Sequence, residues 1–108
     1  MSVNSRAKGA RGEREFSNWL KSHGHEEVRR GQQYAGIEGE DVVGLDGIHI
    51  EVKRVEALNI DKAMDQSIRD SQDKIPIVAH RKNGREWLIT MRVEDWNLFY
   101  RCWSGLIR

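Results

Sequence analysis

The 108-residue sequence contains one cysteine, Cys102, which excludes an intramolecular disulfide framework and a cysteine-cluster zinc site. A reduced, cytoplasmic setting is the default that follows. No run approaches the roughly 18 apolar residues of a membrane span, and the opening stretch MSVNSRAKGARGE has no apolar segment of a signal peptide. Internal repeats and low-complexity segments are also absent. Apolar residues reach only 38% against 32% charged, yet periodic segments and four Trp speak against a disordered chain. What is present fits a single domain, 1–108, with one modest core.

The net charge of +1 hides a segregation. Residues 1–30 carry seven Lys/Arg against four acids, residues 31–73 four against ten, and residues 74–108 seven against three. An acidic middle is framed by basic ends. A polyanion would be drawn to the ends, where neutralised phosphates release counterions, and repelled by the middle unless a cation sits on it.

Residues Arg6–His23 read as a helix with Phe16, Trp19 and Leu20 on one side, Ser5 as a candidate cap and Gly24 as the stop. Glu26–Arg30 reads as a short strand, and Gly31–Gly39 as a loop. Asp41–Leu45 and Ile48–Arg54 read as strands around Asp46-Gly47, and Ile75–His80 with Glu86–Arg92 as a hairpin across Asn83-Gly84. Asn59–Ser71 is expected to be a helix with Ile60, Ala63, Met64 and Ile68 inward. Val93–Trp103 is expected to be a C-terminal helix whose Trp96, Phe99, Tyr100 and Trp103, with Leu106 and Ile107, enter the core or a dimer surface. The order argues for an α/β fold, a mixed β-sheet flanked by α-helices.

The segment Ile48-His49-Ile50-Glu51-Val52-Lys53 carries the chemistry. Strand alternation puts Glu51 and Lys53 on one face, with Ile48, Ile50 and Val52 anchoring the other. Glu51 is a candidate ligand for a hard cation, and Lys53 a candidate holder of a water or phosphate oxygen. Their alternative is an ordinary ion pair worth about 0–1 kcal/mol. Asp41 precedes on the neighbouring strand. A three-residue connection Leu45-Asp46-Gly47, with Gly47 left-handed, would set Asp41 opposite Glu51. A two-residue Asp46-Gly47 turn, which the placement of Val43 and Leu45 mildly prefers, would send Asp41 to the apolar face. Two converging carboxylates repel unless a cation lies between them, and Mg²⁺ is the natural occupant. Glu13 and Glu15 lie at opposite margins of the first helix's apolar stripe, and helical geometry barely separates them. His49 shares the face of Glu51 and is a minor candidate for touching substrate; His23 and His25 read as surface residues.

These residues carry a resemblance. The run Lys8-Gly9-Ala10-Arg11-Gly12-Glu13-Arg14-Glu15-Phe16, then Val28-Arg29-Arg30, Glu40-Asp41-Val42-Val43 and Ile50-Glu51-Val52-Lys53, resembles the archaeal-type Holliday-junction resolvases of the PD-(D/E)XK nuclease superfamily. It covers roughly the first half of the chain. The resemblance implies a restriction-endonuclease-like core, Asp41 and Glu51 as metal ligands together with the Val52 carbonyl, Glu13 completing the site, and Lys53 as the catalytic lysine. It also implies DNA-binding roles for Arg14 and for Arg29 or Arg30, and it points to Gln66 as a possible supporter of the site. Arg6, Lys8 and Arg11 join the candidate phosphate contacts. The function expected is Mg²⁺-dependent hydrolysis of phosphodiesters in branched DNA by a C2 homodimer, with Mn²⁺ as a substitute ion. The alternatives are a flap or single-strand nuclease like the VRR-NUC group, and a non-catalytic DNA-binding module on the same fold.

Overall fold

Phe16 and Leu20 lie one helical turn apart and are both buried, which fixes the inner face of α1, Ser2–Ser22. The computed structural model describes residues 2–31 and 41–105, with side chains at 9–31 and 41–105. Helix α1 begins earlier than Arg6, so Ser5 lies inside it and is not its cap. Gly24, at φ 100°, ends it as expected. Trp19 falls outside the inner stripe, is 43% exposed and stacks on His23 with ring centroids 3.8 Å apart.

The described residues form an α/β fold, a five-stranded mixed sheet flanked by three helices. Strands β1 (Arg29–Arg30), β2 (Val42–Val43), β3 (Ile48–Lys53), β4 (Ile75–His80) and β5 (Leu88–Met91) lie in that spatial order. β3 and β4 are parallel, and every other pairing is antiparallel. A parallel pair needs a crossover, and α2 (Ile60–Asp70) supplies it. The Asn59 side chain caps α2 by accepting the Lys62 N–H at 3.1 Å. Helix α3 spans Val93–Trp103.

Ile50 and Val52 of β3, Val42 of β2, and Ile77 and Ala79 of β4 meet Phe16, Leu20 and Val28 in one core on the α1 side. The other face of β3, with His49 and Glu51, lies toward α2. The buried line of α2 is Ala63 and Ser67 rather than the larger Met64 and Ile68. Small residues let the helix approach the sheet closely enough for Ser67 Oγ to donate to the Ile77 carbonyl at 2.9 Å. Close approach also governs Gly12 in α1, where an added Cβ would stand 2.7 Å from Arg54 Cβ.

The outer strands are shorter than their sequences suggest. β2 stops at Gly44, whose φ of 113° and position against the Glu27 and Val28 backbone leave no room for a side chain. Glu26 and Glu27 form a turn rather than the start of β1. The β4–β5 connection takes residues 81–87 instead of a tight Asn83-Gly84 turn. Arg81 folds its guanidinium back onto the Arg85 carbonyl at 2.6 Å, and the Asn83 N–H donates to Glu56 at 2.8 Å, so side chains hold the longer loop.

The largest departure is α3. Trp96, Phe99, Tyr100 and Trp103 do not enter the core of this chain; they are between 40% and 84% exposed. Leu106 and Ile107 lie outside the described residues, as does the expected 31–39 loop beyond Gly31.

Candidate active site

β3 is the strand around which the site is built. Its pairing Val42↔Ile50, with Gly47 left-handed at φ 81°, is the three-residue register that sets Asp41 opposite Glu51. The alternative two-residue turn is not adopted. Asp41 bends back at the end of β2: its N–H donates to the Ile50 carbonyl at 3.0 Å, and its Oδ2 accepts the Val52 N–H at 2.8 Å. Because Gly47 and Lys53 carbonyls serve β4 while the Ile50 carbonyl serves Asp41, alternation turns the Val52 carbonyl toward the Asp41 side as well.

Glu51 is buried, 1% exposed, and its Oε1 pairs with His49 Nε2 at 3.1 Å. His49 is equally enclosed, so it backs the carboxylate rather than facing a substrate. Lys53 is half-buried, and its Nζ donates to Gln66 Oε1 on α2 at 3.2 Å. One βαβ unit thus delivers Glu51, Lys53 and Gln66 together.

Asp41 reports the electrostatics. Its carboxyl is pushed up from 3.8 to about 7, first by burial, then by the Glu51 charge and, more weakly, by Glu13. The Val52 N–H and the Lys53 ammonium act downward without cancelling the rise. The structure therefore separates Glu13 from Glu15. Glu13 acts on Asp41 and receives Arg30 Nε at 3.1 Å. Glu15 is turned away, held by Arg54 Nε at 3.1 Å and Arg81 at 2.5 Å.

Among the described residues, no group of three or more His, Cys, Asp or Glu side chains is arranged to hold a metal ion by itself. The donor set at hand is of a different kind: Asp41, Glu51 and a backbone carbonyl, with Glu13 nearby. Glu51 is held through Oε1 by His49, and Asp41 through Oδ2 by the Val52 N–H. Two carboxylates supplemented by water and phosphate oxygens suit Mg²⁺, which retains several waters and rarely takes an all-protein cage.

Arg11, Arg14 and Arg29 are exposed, and Arg30 is partly committed to Glu13. The side chains of Arg6 and Lys8 lie outside the described residues. Two residues that the sequence reading did not single out, Arg54 and Arg81, stand side by side because Lys53 pairs with His80 in the parallel register. Only that long-range pairing brings them together, so spacing along the chain carries no trace of it. His49 could have been assigned to Glu51 from strand alternation alone.

No family model matches this chain, and no curated protein or solved structure does so.

Proposed function

We propose that the chain is a metal-dependent endonuclease of the restriction-endonuclease-like, PD-(D/E)XK kind, acting on branched DNA and best suited to Holliday-junction resolution. The observation that carries the reading is Asp41 facing Glu51 with its carboxyl raised to about 7, beside the Lys53 amine. An acidic pair this enclosed is a poor surface for DNA unless a cation joins it.

Asp41, Glu51 and the Val52 carbonyl would hold one or two Mg²⁺ or Mn²⁺, with Glu13 assisting. A bound divalent ion supplies Lewis-acid stabilisation of phosphoryl charge and lowers the pKa of a water. The remaining work falls to the chain itself. Gln66 fixes the direction of the Lys53 ammonium, which orients the nucleophile and meets developing negative charge. His49 holds Glu51 through Oε1 and so fixes the orientation of that carboxylate. Arg11, Arg14, Arg29 and Arg30 contact backbone phosphates, which position DNA without reading its sequence. A domain of this size has little surface for base readout, which favours structure-selective cleavage.

The test is cleavage of four-way, flap, linear duplex and single-stranded substrates with Mg²⁺ or Mn²⁺, alongside Glu51→Gln and Lys53→Ala. Preferential nicking of the four-way substrate, lost in both variants, is expected. Preference for flaps or single strands would move the assignment to a VRR-NUC-like activity. Binding without cleavage in either metal would leave a DNA-binding module, and cleavage in EDTA would overturn the scheme.

A further inference from the structure

Glu15 stands outside the donor set of the site, yet it is held by two cations. Its Oε1 accepts Arg54 Nε at 3.1 Å and Arg81 Nη1 at 2.5 Å. Arg54 follows Lys53 off β3 and Arg81 follows His80 off β4, in the parallel register that pairs Lys53 with His80. The Arg81 N–H donates to the Lys53 carbonyl at 3.1 Å, so the receptor for Glu15 is tied to the strand that carries Glu51 and Lys53. Arg81 is fixed further by its Nε on the Arg85 carbonyl at 2.6 Å, and Arg54 by Glu56 at 3.8 Å. The side chains of Glu15, Arg54 and Arg81 are 29%, 18% and 28% exposed, so the cluster is partly withdrawn from solvent.

Glu13 lies on the other flank of the helix. At 3.6 residues per turn the two acids stand about 160° apart, measured across the buried stripe of Phe16 and Leu20. Glu13 is drawn to Arg30 of β1 and Glu15 to the ends of β3 and β4. Among the described residues, Phe16 and Leu20 are the only large apolar side chains that α1 buries. Two contacts one turn apart fix where a helix lies better than how it is rolled about its axis. The ion pairs oppose roll in both senses: one turn direction draws Glu15 from its arginines, the other draws Glu13 from Arg30. Side-chain tips stand about 5–6 Å from a helix axis, so a roll of about 20° carries a carboxylate about 2 Å. A misplacement of about 1 Å can cost about 10²-fold in rate. Gly12, one turn before Glu15, leaves room for the Arg54 stem to pass close to α1.

We propose that Glu15 is a positioning residue: held by Arg54 and Arg81, it fixes the roll of α1 and so keeps the Glu13 carboxylate directed toward Asp41. The role rests on the nuclease reading, since it acts through Glu13. Ion pairs open to solvent add little to stability, so the cluster contributes direction rather than free energy of folding. It requires arginine at position 81. The guanidinium fork serves the Arg85 carbonyl through Nε and Glu15 through Nη1 at the same time, and the point charge of a lysine does not reproduce that fork.

Two measurements on the full chain test it. In crystals grown without metal, Glu15→Ala should show a rolled α1 with Glu13 parted from Arg30, a contact that the native chain keeps; an unmoved helix in the variant overturns the proposal. In calorimetric titration with Mn²⁺, Glu15→Ala and Arg81→Lys should each weaken binding about tenfold, within the range for groups that orient a metal ligand. Glu15→Gln, whose amide oxygen still accepts from a guanidinium, should recover part of the loss. Adding Glu15→Ala to Glu13→Gln should weaken Mn²⁺ binding no further, because the effect passes through Glu13; an additive loss overturns the proposal. Cleavage should lose kcat with the KM for DNA unchanged, and the urea midpoint should barely move, which separates positioning from loss of folded protein. A native chain that binds no Mn²⁺ and cuts no DNA removes the nuclease reading and the role of Glu15 with it. A native chain that does both, with Glu15→Ala its equal, removes the role of Glu15 alone.

Discussion

The two ends of the sheet treat their side chains in opposite ways. On the β2–β3 side, ionisable groups are buried: Glu51 and His49 are enclosed, and Asp41 sits deep enough for its carboxyl to rise to about 7. On the β5–α3 side, apolar groups are exposed, with Trp103 and Val93 largely in solvent. Each arrangement is costly for an isolated chain. Buried acids lose hydration, and exposed aromatics keep water ordered around them. The two costs differ in kind: a positive charge would lower the first, as the proposed function requires, and an apolar cover would lower the second.

The contrast can be broken most sharply at the acidic end. Glu51→Gln should remove at least about 10³-fold of cleavage, comparable to losing a key electrostatic group from an active site, while electrophoretic mobility shifts show DNA binding retained. Next in size is the core between the two regions. Ile50→Ala empties a fully buried position and should cost about 2–5 kcal/mol in urea unfolding; a smaller loss would mean that α1 is loosely docked.

Acidity supplies a third handle. Asp41 has a folded-state value of about 7, above its ordinary 3.8, so the folded chain keeps a proton that the unfolded chain has already lost between those limits. In EDTA, Tm should therefore fall as pH rises from about 4 to about 7 and level off above, as far as this group controls it. Mg²⁺ should raise Tm more at pH 8 than at pH 5, because the ion replaces the proton; an equal increment at both would remove Asp41 from the site. Smaller again is the effect of His49. His49→Leu should weaken Mn²⁺ binding about 10–100-fold, with His49→Gln recovering part of it, since an outer partner holds its ligand by one hydrogen bond. The binding measurement is titration calorimetry. At the apolar end, Trp103→Ser should change the stability in urea unfolding by no more than about 0.5 kcal/mol, because Trp103 is already 84% exposed.

Much of this architecture was legible in the chain. The apolar stripe of Ile60, Ala63, Met64 and Ile68 located α2, the aromatic run from Trp96 to Trp103 located α3, and alternation at Ile48–Lys53 put Glu51 and Lys53 on one face. The position of Asp41 was undecided between two registers because local patterning and turn chemistry disagreed. The backbone resolved it through Gly47. Glu13 and Glu15 were indistinguishable on a helical wheel, because what separates them is the position of Arg30 on β1 and of Arg54 and Arg81 beyond β3 and β4. The fate of α3 was the hardest to read. A periodic aromatic stripe states that something must cover it, not whether that cover belongs to the same molecule.

Gly12 has a consequence beyond packing. The hydrogen on its Cα acts as a shim: it sets how near α1 rides to Arg54, and therefore how far Glu13, the next residue, reaches toward the acids on the sheet. Thickening that shim by one methyl in Gly12→Ala would tilt the helix outward and retract the third carboxylate while leaving every ionisable group in the chain intact. The helix thus works as an adjustable jaw, whose opening is set by the smallest side chain beside the site.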